Sequence, residues 1–313
     1  MRRLCCYSLS LPKVGSPDLL TQLSTSVDSL RSFNSDVNIV LFAYSDLPMD
    51  FTNFLKGLGV QVWQLEPYAS RLARHHSNGW RYLSHYPLLH KYLNFTEISS
   101  LDPEQVLLLD CDTYFQDDVV RLFEKYVGPD LIAREEVGSR RSHYGYDPKM
   151  IDEDVLARIG VESGISPAPP FNCGVVLLNN GLWQKLAGLS SLFVQYAWRF
   201  FVSMAANPPN SSSESVEGVG IKNLRERWLS LGPAEKFLAL DYPSTNRWIM
   251  DEVTLWMTIG HLARLNFADF ERSDVAQNGE FDCAEHSPTW VVCHYFSQGF
   301  ARMQNWVRQK SRI

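Results

Sequence analysis

The segment Gln105-Val106-Leu107-Leu108-Leu109-Asp110-Cys111-Asp112-Thr113 decides the architecture, because an apolar run too short for a helix ends abruptly in two carboxylates one residue apart. A short continuous apolar run of this kind reads as a strand buried on both faces. Residues i and i+2 of an extended segment point to the same side, so Asp110 and Asp112 are expected to face one hard cation from the carboxyl end of that strand. Open α/β sheets keep their ligands at that end.

Working outward, the first 120 residues alternate strand-like and helix-like blocks, the order of a parallel sheet with helices packed on it. Strands are expected over 4–9, 37–44, 60–65 and 106–109. Helices are expected from Ser16-Pro17-Asp18 to about residue 33, over 49–58 with Gly59 as the break, and over 80–95. Asp117 and Asp118 are expected to cap a helix over 119–126, since carboxylates at a helix start accept free backbone N–H groups. Further on, strands are expected over 131–135, 174–179 and 290–295, and helices over 182–204, 216–231 and 251–265. Pro167-Ala168-Pro169-Pro170 reads as a rigid extended segment, and residues 207–215 as a mobile surface loop.

Composition narrows the class. The 313 residues, 45% hydrophobic and 12% aromatic, suffice for one large core or two coupled ones, and the expectation is one catalytic domain with embellishments. A formal charge of −6 argues against a nucleic-acid surface, so an anionic substrate would have to be met by local cations and a metal. The six cysteines form no CxxC pair and mostly sit in apolar runs, which reads as reduced core side chains. The stretch after Met1-Arg2-Arg3 is too short and interrupted for a signal-peptide core, and no window reaches the length of a spanning helix; a cytoplasmic address is the expectation. Arg308, Lys310 and Arg312 make a short basic tail compatible with peripheral membrane contact.

Three further blocks carry polar residues at element ends. Phe171-Asn172-Cys173-Gly174-Val175-Val176-Leu177-Leu178-Asn179 is a buried strand flanked by amides, with Gly174 permitting close approach. Asp251 and Glu252 open a helix, and in Val291-Val292-Cys293-His294 a strand ends on a metal-ligand residue type. The remaining histidines lack ligand-like spacing. Trp80, Trp248 and Trp306 lie near these blocks and offer rings for stacking.

The ordered set, Leu-Asp-Cys-Asp-Thr, then Phe-Asn-Cys-Gly-Val-Val-Leu-Leu-Asn about sixty residues later, then Asp-Glu opening a helix, then a late His followed by Gly, resembles the glycosyltransferases of the GT-A fold. Within them it is most similar to the glycogenin-like and bacterial galactosyl- and glucosyltransferase-like retaining enzymes. The resemblance implies a single Rossmann-like GT-A domain over 1–313, with residues 1–120 as the nucleotide-binding half and 121–300 as the acceptor-binding half. Residues 138–170 and 204–224 would be variable insertions, and 301–313 a tail. It implies that Asp110, Asp112 and His294 bind Mn²⁺ or Mg²⁺, which holds the diphosphate of a nucleotide sugar. Asn172 and Gly174 would line the sugar and acceptor site, and Asp251 would stand near the anomeric carbon. Lys91 would contact nucleotide or phosphate, and Tyr7 and Ser8 would border the base. In one departure, Gly299 follows His294 by five residues rather than three, and Arg302 stands where the family keeps a lysine. The implied reaction moves a hexose from a nucleotide sugar, expected to be UDP-linked, to a hydroxyl of a glycan, lipid or protein. A sugar-nucleotide nucleotidyltransferase and a non-catalytic nucleotide- or glycan-binding protein are the competing expectations. The former would want a better Gly- and Arg/Lys-rich loop than residues 10–16 supply.

Overall fold

Strand β1 (Arg3–Leu9) lies inside a seven-stranded sheet of order β3-β2-β1-β4-β7-β6-β8. Its partners are β2 (Asn38–Ala43) and β4 (Gln105–Leu109), both parallel to it; β3 (Val60–Gln64) extends the parallel run beyond β2. On the other side β7 (Phe171–Leu178) pairs antiparallel with both β4 and β6 (Leu131–Glu135), and β8 (Phe267–Asp269) pairs parallel with β6. Six strands therefore run one way and β7 alone runs against them. This is the mixed, mostly parallel α/β sheet that the alternating blocks predict.

This computed structural model describes residues 2–11, 17–34, 36–75, 83–84, 87–135, 153–165, 171–206, 250–277, 290–295 and 300–310. The expectations for 167–170, 207–215 and 216–231 lie outside them.

The period-two alternation of each strand divides the core between the two faces of the sheet. Cys5, Tyr7 and Leu9 of β1, Leu107 and Leu109 of β4, and Val175 and Leu177 of β7 pack with Leu23, Val27 and Leu30 of the helix Pro17–Phe33. Their neighbours Leu4, Cys6, Val106, Leu108, Val176 and Leu178 face the other way, toward the helices Ser190–Ala206 and Met250–Ile259. Both faces are covered, which is why β4 carries no polar residue between Val106 and Leu109.

The expected helix over 80–95 is instead, in its described part, a 3₁₀ segment, Pro87–Asn94, followed by the helix Phe95–Ser100. Leu89, Tyr92 and Phe95, three apart and fully buried, suit three residues per turn. The long helix expected over 182–204 is two, Leu182–Ala187 and Ser190–Ala206, interrupted around Gly188, a poor helix former. The helix expected over 251–265 stops at Ile259, before Gly260, and Arg264 then turns the chain at φ 62°. The structure adds the helices Tyr68–His75, Glu153–Ser163 and Phe300–Lys310, which the sequence expectations do not include.

Asp118 does serve the helix Val120–Lys125, accepting the Val120 N–H at 2.9 Å. Residues 111–112, however, form a turn rather than the end of an extended strand. Beyond it β5 (Thr113–Phe115) leaves the main sheet and joins β10 (Val292–His294) and β9 (Val275–Gln277) in a second sheet of order β5-β10-β9.

Candidate functional site

The turn between β4 and β5 sits at the carboxyl end of β4, beside β1, where strand order reverses. That is the ligand-binding position of open α/β sheets. Two features bring distant residues to it. β5 and β10 pair antiparallel with Thr113 opposite His294, which carries the histidine to the turn. β7 runs against β4, so its first residues, not its last, reach the same place: Val175 lies opposite Leu109. Against β6 the register jumps from Ala133↔Val176 to Arg134↔Asn172, a bulge in β7 that takes in Cys173 to Val175.

Ligand-capable atoms of Asp110, Asp112 and His294 lie within 4.8 Å of one another. His294 Nε2 is 3.2 Å from an Asp112 oxygen and 3.8 Å from an Asp110 oxygen. The imidazole is buried, while the Asp110 side chain keeps 32% of its exposure, so the cluster opens to solvent on the carboxylate side.

The orientation of the histidine follows from hydrogen-bond chemistry. Asn172 Oδ1 accepts the Gly174 N–H at 2.9 Å, and its Nδ2 donates to Glu252 at 3.0 Å, which fixes which end of the amide is oxygen. His294 Nδ1, 2.7 Å from that same oxygen, must therefore carry hydrogen. Nε2 is left facing the carboxylates, the arrangement by which ligating histidines are held. Burial alone would lower the His294 pKa, but Asp112 and Asp110 outweigh it and hold it above the usual imidazole value. For Asp112, burial pushes upward and the pairing with His294 overcomes it, so the carboxyl is held below its ordinary range. Nε2 thus faces both carboxylates at the point where a cation would sit. Two carboxylates and one imidazole are a donor set that fits a divalent metal.

Gly174 exists for this histidine. A Cβ built there would stand 2.2 Å from His294 Cε1 and Nδ1 and 2.6 Å from Cγ. The close approach expected of this glycine is real, and its partner is the imidazole ring. Asn172, 3% exposed with both ends of its amide engaged, stands behind the histidine.

Lys91, on the 3₁₀ segment, sends its buried ammonium between Asp110 Oδ1 at 2.9 Å and Asp251 Oδ2 at 2.7 Å, and donates to the Cys173 carbonyl at 3.1 Å. Burial would strip its proton, but the two carboxylates more than compensate and its pKa is held well above the usual value. Asp251, 6% exposed, is thus joined to the acidic pair through one cation.

Ser8 lies at the site's edge, its carbonyl 2.8 Å from His90 Nε2 and its hydroxyl accepting from Asn94 at 2.7 Å. Tyr7, expected beside it at the base, has its ring on the opposite face of the sheet, fully buried, with its hydroxyl 2.7 Å from Ser26. Arg302 is exposed on the helix Phe300–Lys310. Gly299, Trp80 and Trp248 lie outside the described residues, as does the side chain of Trp306. Sequence reasoning missed Glu252 as the partner of Asn172 and the hydroxyls of Ser26 and Thr113; the only signal for the serine was a polar residue on the apolar stripe Leu23, Val27, Leu30.

No protein-family model matches the chain, and no curated protein does. Solved structures similar to it include mouse xyloside xylosyltransferase 1 in its apo form (13% identity, TM-score 0.46, covering 94% of this chain and 96% of that one). The galactosyltransferase LgtC, solved with donor and acceptor sugar analogs, is similar at 15% identity and TM-score 0.47, covering 94% and 87%. The glycosyltransferase GlyE of Streptococcus pneumoniae is similar at 16% identity and TM-score 0.46, covering 95% of this chain and 55% of that one. At these scores the likenesses assign no residue a role in this chain.

Proposed function

We propose that the chain is a metal-dependent GT-A glycosyltransferase that moves a hexose from a nucleotide sugar, with UDP as the nucleotide, to a hydroxyl of a glycan, lipid or protein. The observation that carries this reading is the convergence of Asp110, Asp112 and an Asn172-oriented His294 at the carboxyl end of the sheet, where strand order reverses. Departure of a nucleoside diphosphate from an anomeric carbon develops negative charge on its β-phosphate. Mn²⁺ or Mg²⁺ held by the three side chains would supply a Lewis acid for that charge. Lys91 holds the Asp110 carboxylate in one direction, and Gly174 and Asn172 keep the imidazole in one pose. The first strand's end at Ser8 borders the same opening and suits a contact to the nucleotide. Asp251 and Glu252, the carboxylates that could act as an acceptor-side base, are 6% and 9% exposed and engaged by Lys91 and Asn172. Inversion needs such a base, so this arrangement suits retention. The single catalytic domain and the cytoplasmic address belong to the same proposal; among the described residues no helix is long and apolar enough to cross a membrane.

The test is purified protein with Mn²⁺ and a panel of nucleotide sugars. Release of nucleoside diphosphate that disappears in Asp112→Asn supports the reading. Release of pyrophosphate would point to a nucleotidyltransferase, and absence of both turnover and donor binding would sink glycosyl transfer altogether.

A further inference from the structure

Behind the acidic turn runs a chain of three hydroxyls, each fully buried: Tyr7 Oη to Ser26 Oγ at 2.7 Å, Ser26 Oγ to Thr113 Oγ1 at 2.6 Å, and Thr113 Oγ1 to the Asp110 carbonyl at 3.0 Å. A carbonyl only accepts, so Thr113 donates its one proton to Asp110. The Ser26 proton then goes to Thr113, and the Tyr7 proton to Ser26. Burial drives the Tyr7 pKa far above the phenol's ordinary value, so the donor at the head of the chain does not ionise. The chain has a single sense, with every proton placed.

Its end point is what gives it a role. The Asp110 N–H already donates to the Gly174 carbonyl at 2.9 Å. With its own carbonyl taken by Thr113, the Asp110 backbone is pinned on both sides of its α-carbon, which fixes the direction of the carboxylate. Thr113 is also the residue opposite His294 in the β5–β10 ladder, and the Asp112 carbonyl accepts the Tyr295 N–H at 3.1 Å. One helical turn further along the helix Pro17–Phe33, Ser29 Oγ accepts the Phe115 N–H at 3.0 Å and donates to the Ser26 carbonyl at 2.8 Å. Two buried serines of that helix therefore hold the short strand on which the acidic turn and its histidine partner both hang.

We propose that Tyr7, Ser26 and Thr113 are positioning residues for the divalent-cation site, setting the pose of Asp110 through its backbone. The proposal rests on the metal-site reading given above. Outer partners of metal ligands govern affinity in this way, with losses of about tenfold or more when they are removed.

The experiment is Mn²⁺ titration of the full chain, read by the paramagnetic resonance signal of free ion, alongside a thermal melt of each variant. Thr113→Val keeps the shape and deletes the hydroxyl; Thr113→Ser keeps the hydroxyl and deletes a buried methyl. Thr113→Val and Ser26→Ala should each bind Mn²⁺ about tenfold more weakly than the native chain while still folded. Thr113→Ser should bind within about twofold of native even though it melts earlier, an order that a merely structural role would not give. Equal Mn²⁺ affinity in native, Thr113→Val and Ser26→Ala proteins would overturn the inference and leave the metal site standing. A native chain that binds no Mn²⁺ would sink both.

Discussion

Replacing Gly174 by alanine separates packing from metal chemistry at one atom. The added Cβ would lie 2.2 Å from two atoms of the His294 ring, where ordinary contact begins near 3.4 Å. The ring must then recede by about 1.2 Å, the difference between those values, or the strand must move with it. Neither is free: Nδ1 is tied to Asn172 at 2.7 Å, and His294 is 4% exposed. Metal–ligand distances tolerate only about 0.2 Å, so a displacement of this size removes the imidazole from the coordination set. We expect Mn²⁺ affinity to fall by about 100-fold. Stability is a contest of two effects. Alanine in a strand interior gains about 0.5–1 kcal/mol over glycine, but overpacking a buried site costs about 1–3 kcal/mol, so the variant should be less stable by roughly 1–2 kcal/mol in urea. The double variant Gly174→Ala/His294→Ala has no ring to clash with, and there alanine should be neutral or stabilising. A single Gly174→Ala variant with native Mn²⁺ affinity, or a stability loss that persists in the His294→Ala background, would refute the reasoning.

Three other outcomes follow from the same geometry. Asp112→Asn should lose about 100-fold or more in Mn²⁺ affinity, and a chelator should silence nucleoside diphosphate release by the native chain until Mn²⁺ is restored; chelator-resistant turnover would contradict the metal's role. Lys91→Met leaves Asp110 and Asp251 without the buried cation between them and should cost about 3–5 kcal/mol in a urea melt. Adding Asp251→Asn should recover much of that, and strict additivity of the two changes would count against the bridge. His90 is pushed down to about 4 from an ordinary 6.5, first by burial, and among the described residues its buried Nδ1 has no partner to receive a proton. A depressed folded pKa means that its contribution to stability is complete above about pH 6.5 and is lost as pH falls toward about 4. The loss is on the order of 2–3 kcal/mol, discounted because the residue retains some exposure. His90→Gln should flatten that part of the pH–stability curve, and an unchanged difference between pH 7 and pH 4.5 would refute the assignment.

What the sequence discloses and what it hides divide along the range of the interactions. Strands β1, β2, β4 and β7 were legible because a sheet covered on both faces demands continuous apolar runs, and such runs are hard to mistake; the edge strand β3, Val-Gln-Val-Trp-Gln, was legible from its alternation instead. Gly188 interrupts a helix that apolar spacing alone draws across it, since spacing records which face is buried and not whether the backbone can continue. β5, β8 and β9 have three residues each and exist only because a partner strand arrives from far along the chain. No local pattern could announce them.

The acidic pair shows the same division within a single motif. Alternation along an extended strand was the reason for placing Asp110 and Asp112 on one side, but the chain turns at 111–112, and the carboxylates converge because that turn is held from outside. The Gly174 carbonyl, the Thr113 hydroxyl and the Tyr295 N–H each grip one backbone group of the turn, from three different elements. The residue types could be read from the sequence because a cation needs carboxylates wherever they are hung. Their pose could not, because it is set by β5, β7 and β10 meeting at one point. It follows that substitutions at Gly174, Asn172 or Thr113, none of which need touch the cation itself, should alter its affinity as surely as changes to the carboxylates that would hold it.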